Sequence, residues 1–194
     1  YRCSGCEAIH ALYPATKALD ERLGTDYHER FLKLLKEIQK KDYACTAALT
    51  DVKGDRSKRP KDEREMFVHV VEKREDGIVV SGAKIHQSGA FAADINFVLP
   101  TQTFKEGEEE FALAFAAMPE DEGISYILQN TGYQAKFREG GEFEQGNPKY
   151  GDRITCTVIF DEVFIPWERV FFFEDLKAAR EALTYFANTH RSMG

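Results

Sequence analysis

Near Ala44 the hydrophobic period changes from that of a helix to that of a strand, and it does not change back until about Leu176. Strand follows strand across that stretch with no intervening helical pattern. Such an order excludes a βαβ array and leaves an antiparallel sheet or barrel. The clearest part is "MFVHVVEKREDGIVVSGAKI", residues 66–85. Two β-branched runs flank Asp76-Gly77 there, and that dipeptide predicts a type I′ hairpin. Further strands are expected near Asn96–Pro100, Phe111–Met118, Ile124–Gln129 and Ile154–Phe160. Between them lie the acidic or glycine-rich turns "KEGEEE" and "REGGEFEQGNPKYG".

Helical spacing frames this β-region on both sides. Ile9, Leu12, Ala15, Leu19 and Leu23 recur on one face of a first helix. Pro14 predicts a kink or restart within it. Gly24 suits a C-terminal cap, and Thr25 or Asp26 an N-terminal one. Tyr27, Phe31, Leu34, Leu35 and Ile38 form the stripe of a second helix. Leu176, Ala179, Leu183, Phe186 and His190 share a face of a third. The fold class is therefore α+β. The expected organisation is a helical part over 1–43, a β-domain over 44–172 and the start of a second helical domain over 173–194. Both ends look cut, so a segment of a longer polypeptide is expected.

The net charge of −7 opposes a general nucleic-acid binder, which needs a basic face. No apolar run approaches the ~20 residues that span a bilayer, and no signal-peptide pattern opens the chain. A cytoplasmic protein without a membrane partner is expected. Four cysteines in a chain of this size do not read as a disulfide framework, which leaves reduced thiols or metal ligands.

Four places carry candidate chemistry. Cys3-x-x-Cys6 has the spacing of two soft-metal ligands, or is a pair of small residues at a helix start. His190 is a core histidine of its stripe, or a ligand if a cysteine partners it. The loop "ALTDVKGDRSKRP", residues 48–60, holds Thr50, Asp51, Lys53, Gly54, Asp55, Arg56, Lys58 and Arg59. It suits an anionic or polar ligand such as a phosphorylated cofactor, or is a solvated charged loop. It has no Rossmann or Walker pattern. "HQSG", residues 86–89, ends a strand with donors, acceptors and a glycine. It can line the edge of a flat heteroaromatic ring or be a polar turn.

In order and spacing, "RC-G-EA", "LGTDYHERFL", "LTDVKGDRS-RP", "FVHVVEKREDGIVVSGAKIHQSGA", "VIFDEVFIPWERVF" and "HR" resemble the flavoprotein family of 4-hydroxyphenylacetate 3-hydroxylases and 4-hydroxybutyryl-CoA dehydratases. The dehydratase branch is the nearer. The resemblance implies an acyl-CoA dehydrogenase-like fold: an N-terminal helical domain, a middle antiparallel β-barrel domain and a C-terminal helical bundle. It implies FAD against His86, Gln87, Ser88 and Gly89, and along Thr50, Asp51 and Lys53. The dehydratase branch also carries a [4Fe–4S] cluster held by three cysteines and a histidine. Cys3 and His190 match two of those ligands; the other two cysteines would lie outside the chain, and Cys6 would not be a ligand.

Two positions depart from that branch. Thr155 stands where the dehydratases use a glutamate, and Gly194 where they use a tyrosine. Threonine cannot act as a general base near neutral pH. The resemblance thus implies an FAD-dependent lyase or isomerase on a hydroxyacyl- or enoyl-CoA thioester. The alternative is a two-component aromatic monooxygenase acting on a small phenol. Family members are homo-oligomers, usually tetramers. No catalytic residue is assigned.

Overall fold

The computed structural model describes residues 4–52, 54–128 and 155–192. The described residues build three layers: three α-helices, then two four-stranded sheets stacked face to face. The helices are α1 (Ser4–Leu23), α2 (Tyr27–Lys41) and α3 (Leu176–Ser192). The expected stripes of α1 and α2 are largely the buried ones, although Leu23 is exposed. Of the stripe expected on α3 only Ala179 is buried; Leu176, Leu183 and Phe186 are half-buried and His190 is exposed. Ala8, Ala11, Leu12, Ala15 and Leu19 of α1 have at most 1% exposure. Small side chains on both partners let α1 and α3 approach closely, since α3 turns Ala178, Ala179 and Ala182 inward. Pro14 does not break α1, which runs through it unbroken. The packing of Ala11, Leu12 and Ala15 outweighs the missing N–H, whose loss costs ~3 kcal/mol.

Gly24 closes α1 in the left-handed conformation, its N–H donating to Asp20 O. The cap of α2 differs from the expectation. Asp26 sits at the cap position, yet its side chain makes no capping bond. It pairs instead with Arg30. Asp20, on the preceding helix, accepts from the N–H groups of Tyr27 and His28 at 3.0 and 2.8 Å. One carboxylate thus joins two helices and offsets the positive end of the second.

The first sheet runs β1 (Cys45–Ala48), β4 (Ile95–Val98), β5 (Ala114–Ala117), β8 (Val170–Phe172). The second runs β2 (His69–Lys73), β3 (Gly77–Ser88), β7 (Thr155–Pro166), β6 (Ile124–Leu128). The two sheets bury Val80, Phe115, Val158, Phe160 and Ile165 between them. The first sheet's other face packs Phe97 and Phe171 against Phe31 and the helices.

Three expectations are corrected here. The described strands form two open sheets rather than a closed barrel. They are not wholly antiparallel: β1 runs parallel to β4. The chain leaves β1, builds the β2–β3 hairpin in the other sheet, and returns to β4 in the same direction. The Asp76-Gly77 hairpin exists, but Lys73 pairs with Ile78 across a four-residue loop. Neither Asp76 nor Gly77 has the positive φ that a type I′ turn requires. Gly77 serves closeness instead: a Cβ there would lie 2.2 Å from Ile165 O. The glycine-rich stretch 138–151, with Gln129 and Ile154, lies outside the described residues.

Candidate flavin site at the end of β3

The loop after β1 and the polar end of β3 lie side by side. Ile85 N donates to Thr50 O at 2.8 Å, and Asp51 forms an isolated antiparallel bridge with Lys84. Beneath that bridge sits a buried ion pair. Lys84 Nζ donates to Asp51 Oδ1 at 2.5 Å, to Leu49 O at 2.8 Å and to Leu99 O at 2.9 Å. Three acceptors thus meet the three N–H groups of one ammonium. Asp51 Oδ2 accepts from Thr101 Oγ1 at 2.5 Å. Both charged side chains are nearly sealed from solvent, at 3% and 2% exposure. Sequence reasoning missed Lys84 and Thr101. A signal was present: Lys84 continues the inward parity of Ile78 and Val80, where a strand residue should be apolar.

Past Lys84 the strand changes which way its side chains point. From Lys84 to Gln87 β3 advances three residues while its partner β7 advances two, from Val158 to Cys156. One extra residue is accommodated there, as in a β-bulge. His86 takes the left-handed conformation at φ 57°. The parity flip turns Gln87 inward and leaves His86 and Ser88 exposed. Without it, Ser88 would face the core. Gly89 follows at φ 74°, with open space where a Cβ would stand.

Replacing His86 by Val is expected to destabilise by about 1–2 kcal/mol, because a β-branched residue resists φ > 0. His86→Gly, free of that strain, is expected to lose less than His86→Val. Thermal melts of the pair check this; equal losses would remove the strain argument.

Ser88 pairs directly with Thr155 across the β3–β7 ladder. The position that the resemblance gives to a glutamate is therefore the cross-strand neighbour of the hydroxyl assigned to the flavin edge. Under this end lies a neutral hydrogen-bonded floor. Cys156 Sγ donates to Gln87 O at 3.3 Å, and burial pushes its thiol upward in pKa. Asn96 Nδ2 donates to Ala90 O at 3.0 Å and to Tyr126 OH at 3.3 Å. Thr46 Oγ1 donates to Asn96 Oδ1. Burial pushes the Tyr126 phenol up to about 12. Every member is uncharged at neutral pH, so the floor adds shape and hydrogen bonds without a competing charge.

The basic loop beyond Asp51 spends much of its charge internally. Lys58 pairs with Glu63 at 3.0 Å, and Arg64 with Glu110 at 2.8 Å. Arg59 donates twice to the buried Glu108. Burial pushes the Glu108 carboxyl up, but the bonds from Arg59 and Lys105 N–H more than offset it and leave the pKa lowered. Arg56 is exposed outside these pairs, and Lys53 lies outside the described residues. The hydroxyls of Thr50 and Ser88 and the backbone groups of Thr50 and Gln87–Gly89 fit the edge of a flavin ring by donor and acceptor chemistry. The Gln87 side chain is instead buried, and its Nε2 donates to Ile85 O at 2.5 Å.

The second candidate centre is less complete. His190 stands on α3, stacked on Phe186, and its side chain is exposed. Its Nδ1–H donates to the buried Glu7 carboxylate of α1, at 3.1 and 3.2 Å to the two oxygens. A hydrogen bond in that sense leaves Nε2 as the ring nitrogen not engaged by Glu7. Sequence reasoning missed Glu7, four residues after Cys3 in the sequence. Cys3 and Gly194 lie outside the described residues, and Cys6 is exposed. Among the described residues no three His, Cys, Asp or Glu gather as a metal site. They do not by themselves make a cluster centre. Among them, too, no helix is long and apolar enough to cross a membrane.

Comparison with known proteins places this geometry. The family model described as "4-hydroxyphenylacetate 3-hydroxylase N terminal" matches residues 1–172. The chain is 36% identical over 193 residues to 4-hydroxybutyryl-CoA dehydratase/vinylacetyl-CoA-Delta-isomerase of Clostridium aminobutyricum. That alignment covers 98% of this chain and 39% of the relative, so the chain spans about two fifths of that enzyme's length. The structure of an oxygen-tolerant archaeal 4-hydroxybutyryl-CoA dehydratase from N. maritimus superposes with a TM-score of 0.90 at 35% identity, covering 98% of this chain and 38% of that one. HpaB, the oxygenase component of 4-hydroxyphenylacetate 3-monooxygenase, complexed with FAD, gives 0.73 at 27% identity, covering 92% and 36%. A steroid ACAD variant gives 0.58 at 17% identity, covering 95% and 40%, and shares the fold alone.

Proposed function

The chain belongs to the 4-hydroxyphenylacetate 3-hydroxylase N-terminal family, and from that premise we propose that the full-length protein is an FAD-dependent lyase or isomerase of a hydroxyacyl- or enoyl-CoA thioester. The observation that carries the proposal is the joining of Thr50–Asp51 to β3 beside the exposed Ser88, two elements 35 residues apart in sequence at the Thr50–Ile85 bond. The greater likeness to a dehydratase supports the substrate class.

Thr50, Asp51 and Lys53, with His86, Gln87, Ser88 and Gly89, are the residues assigned to the FAD site, the buried side chains of Asp51 and Gln87 as its supports rather than its surface. Bound flavin supplies one-electron chemistry that makes a scarcely acidic C–H of the substrate removable. The chain's own part is to hold and orient it. The Ser88 hydroxyl donates to the ring edge, and the bulge at His86 aims it there. The neutral floor of Asn96, Tyr126 and Cys156 keeps that strand end in place. Cys3 and His190 are proposed as two ligands of a [4Fe–4S] cluster, with Glu7 holding the histidine. The proposal extends to a cytoplasmic homo-tetramer with its domain divisions near residues 43 and 172.

One observation favours a second reading. Thr155 beside Ser88 supplies no carboxylate at the position where the resemblance gives the dehydratases a glutamate. A two-component flavin monooxygenase acting on a small aromatic substrate needs none there. The visible spectrum of the gently purified full-length protein, with iron and sulfide analysis, separates the two. A flavin envelope plus a broad absorbance bleached by reductant, with bound iron and sulfide, is expected. Flavin without iron, together with oxygen-dependent phenol hydroxylation, would support the second reading. A colourless protein that takes up no FAD would end both.

Ser88→Ala removes one hydrogen bond to the ring. FAD is expected to bind about 3- to 10-fold more weakly, the equivalent of roughly 1 kcal/mol. Titration of apoprotein with FAD measures it, and unchanged affinity would detach Ser88 from the flavin.

A further inference from the structure

We infer that the buried Lys84–Asp51–Thr101 network is the positioning device of the flavin site, locking the turn after β1 to β3 so that Thr50 and the Gln87–Ser88 end keep one relative placement. The inference rests on the flavin assignment above and gives Asp51 a role at a distance. Both oxygens of its carboxylate are engaged, one by Lys84 and one by Thr101, and the side chain is 2% exposed. A carboxylate so enclosed does not meet a ligand at the surface. It acts through what it holds.

What it holds are three separate segments. The ammonium of β3 bonds Leu49 O and Asp51 in the turn after β1, and Leu99 O in the segment after β4. Thr101 closes the ring from that last segment. Apolar packing is non-directional and cannot alone fix the height of a polar turn against a strand. The stretch that follows offers little such packing: of the described residues from Val52 to Met66, only Pro60 is buried. The turn's placement therefore depends on directed, charge-assisted bonds.

The competing account is a salt bridge that serves stability alone. Thr101→Val, in the full-length protein, separates the two. It removes one donor to Asp51 and leaves the ion pair in place. The apoprotein is expected to melt within a few degrees of the parent, while FAD binds about tenfold more weakly, as loss of a hydrogen bond to a charged group allows. Thr101→Ser, which restores the hydroxyl, is expected to return the affinity to within about twofold. Thr16→Val is the control: it deletes another buried threonine hydroxyl, bonded to Leu12 O on α1 in the helical layer, and is expected to leave FAD affinity unchanged.

Three results would overturn the inference: Thr101→Val binding FAD like the parent, Thr101→Ser failing to restore binding, or Thr16→Val weakening FAD as much. A parent protein that takes up no FAD would instead sink the flavin assignment itself, and this inference with it.

Discussion

Lys84→Met is expected to cost the fold about 3–5 kcal/mol, the range for breaking a buried ion pair from one side. The reason is what stays behind. Met matches lysine in length and packs well in an apolar setting, so little volume is lost. The Asp51 carboxylate remains, 2% exposed, with its positive partner gone. The Leu49 and Leu99 carbonyls lose their donor as well. Each orphaned buried acceptor carries its own desolvation cost. For a domain of this size the loss corresponds to a fall in melting temperature of roughly 10 °C. Urea unfolding should show a lower midpoint with an unchanged slope, which marks a stability change rather than a change in compactness. The paired replacement Lys84→Met with Asp51→Leu removes the stranded charge and should recover part of the loss. It cannot recover all of it, because the two carbonyls remain unpaired. A Lys84→Met protein that melts within a degree or two of the parent would show that water reaches the pair and that the burial argument is wrong.

That ammonium also shows where sequence reasoning reached and where it stopped. Helix stripes and strand alternation come from side-chain periodicity, so the helical faces of Phe31, Leu34 and Ile38 and the strands around Ile78–Val80 were legible. Family motifs led to the two loops that meet at Thr50 and Ile85. What was not legible depends on partners distant in sequence. Asp20 caps a helix it does not belong to. The parallel pairing of β1 with β4 follows from the hairpin between them lying in another sheet. Asp76-Gly77 looked like a turn dipeptide because glycine there has two uses. The structure uses its lack of a side chain beside Ile165, not its access to positive φ. The bulge at His86 leaves no mark in composition, yet it decides which face Ser88 occupies. The Ser88–Thr155 neighbourhood needed the register of β3 on β7 before its chemistry was visible.

Gly82 lies two residues before Lys84, and Gly82→Ala is expected to destabilise by about 2–6 kcal/mol through two additive causes. Its φ of +124° is a conformation that L-residues rarely adopt, and holding an alanine there costs ~1–3 kcal/mol. A Cβ would also stand 2.2 Å from Phe67 O and 2.8 Å from Val68 Cα. Both are backbone atoms, which cannot swing aside as a side chain can, and overpacking of this kind costs ~1–3 kcal/mol. Relief requires the segment leading into β2 to move off β3. Such a movement displaces Phe67 and Val68, which line the same small cavity as Lys84 and Asp51. Flavin affinity is therefore expected to fall together with the melting temperature. Gly89 provides the comparison. It too has positive φ, at 74°, but no atom stands within 4 Å of its virtual Cβ. Gly89→Ala should cost only the left-handed penalty, about 1–2 kcal/mol. Paired thermal melts therefore weigh close approach against conformational strain at two glycines of one strand end. If both variants lose the same amount, backbone contact at Phe67 contributes nothing, and the β2–β3 hairpin must be held in register by its side chains alone.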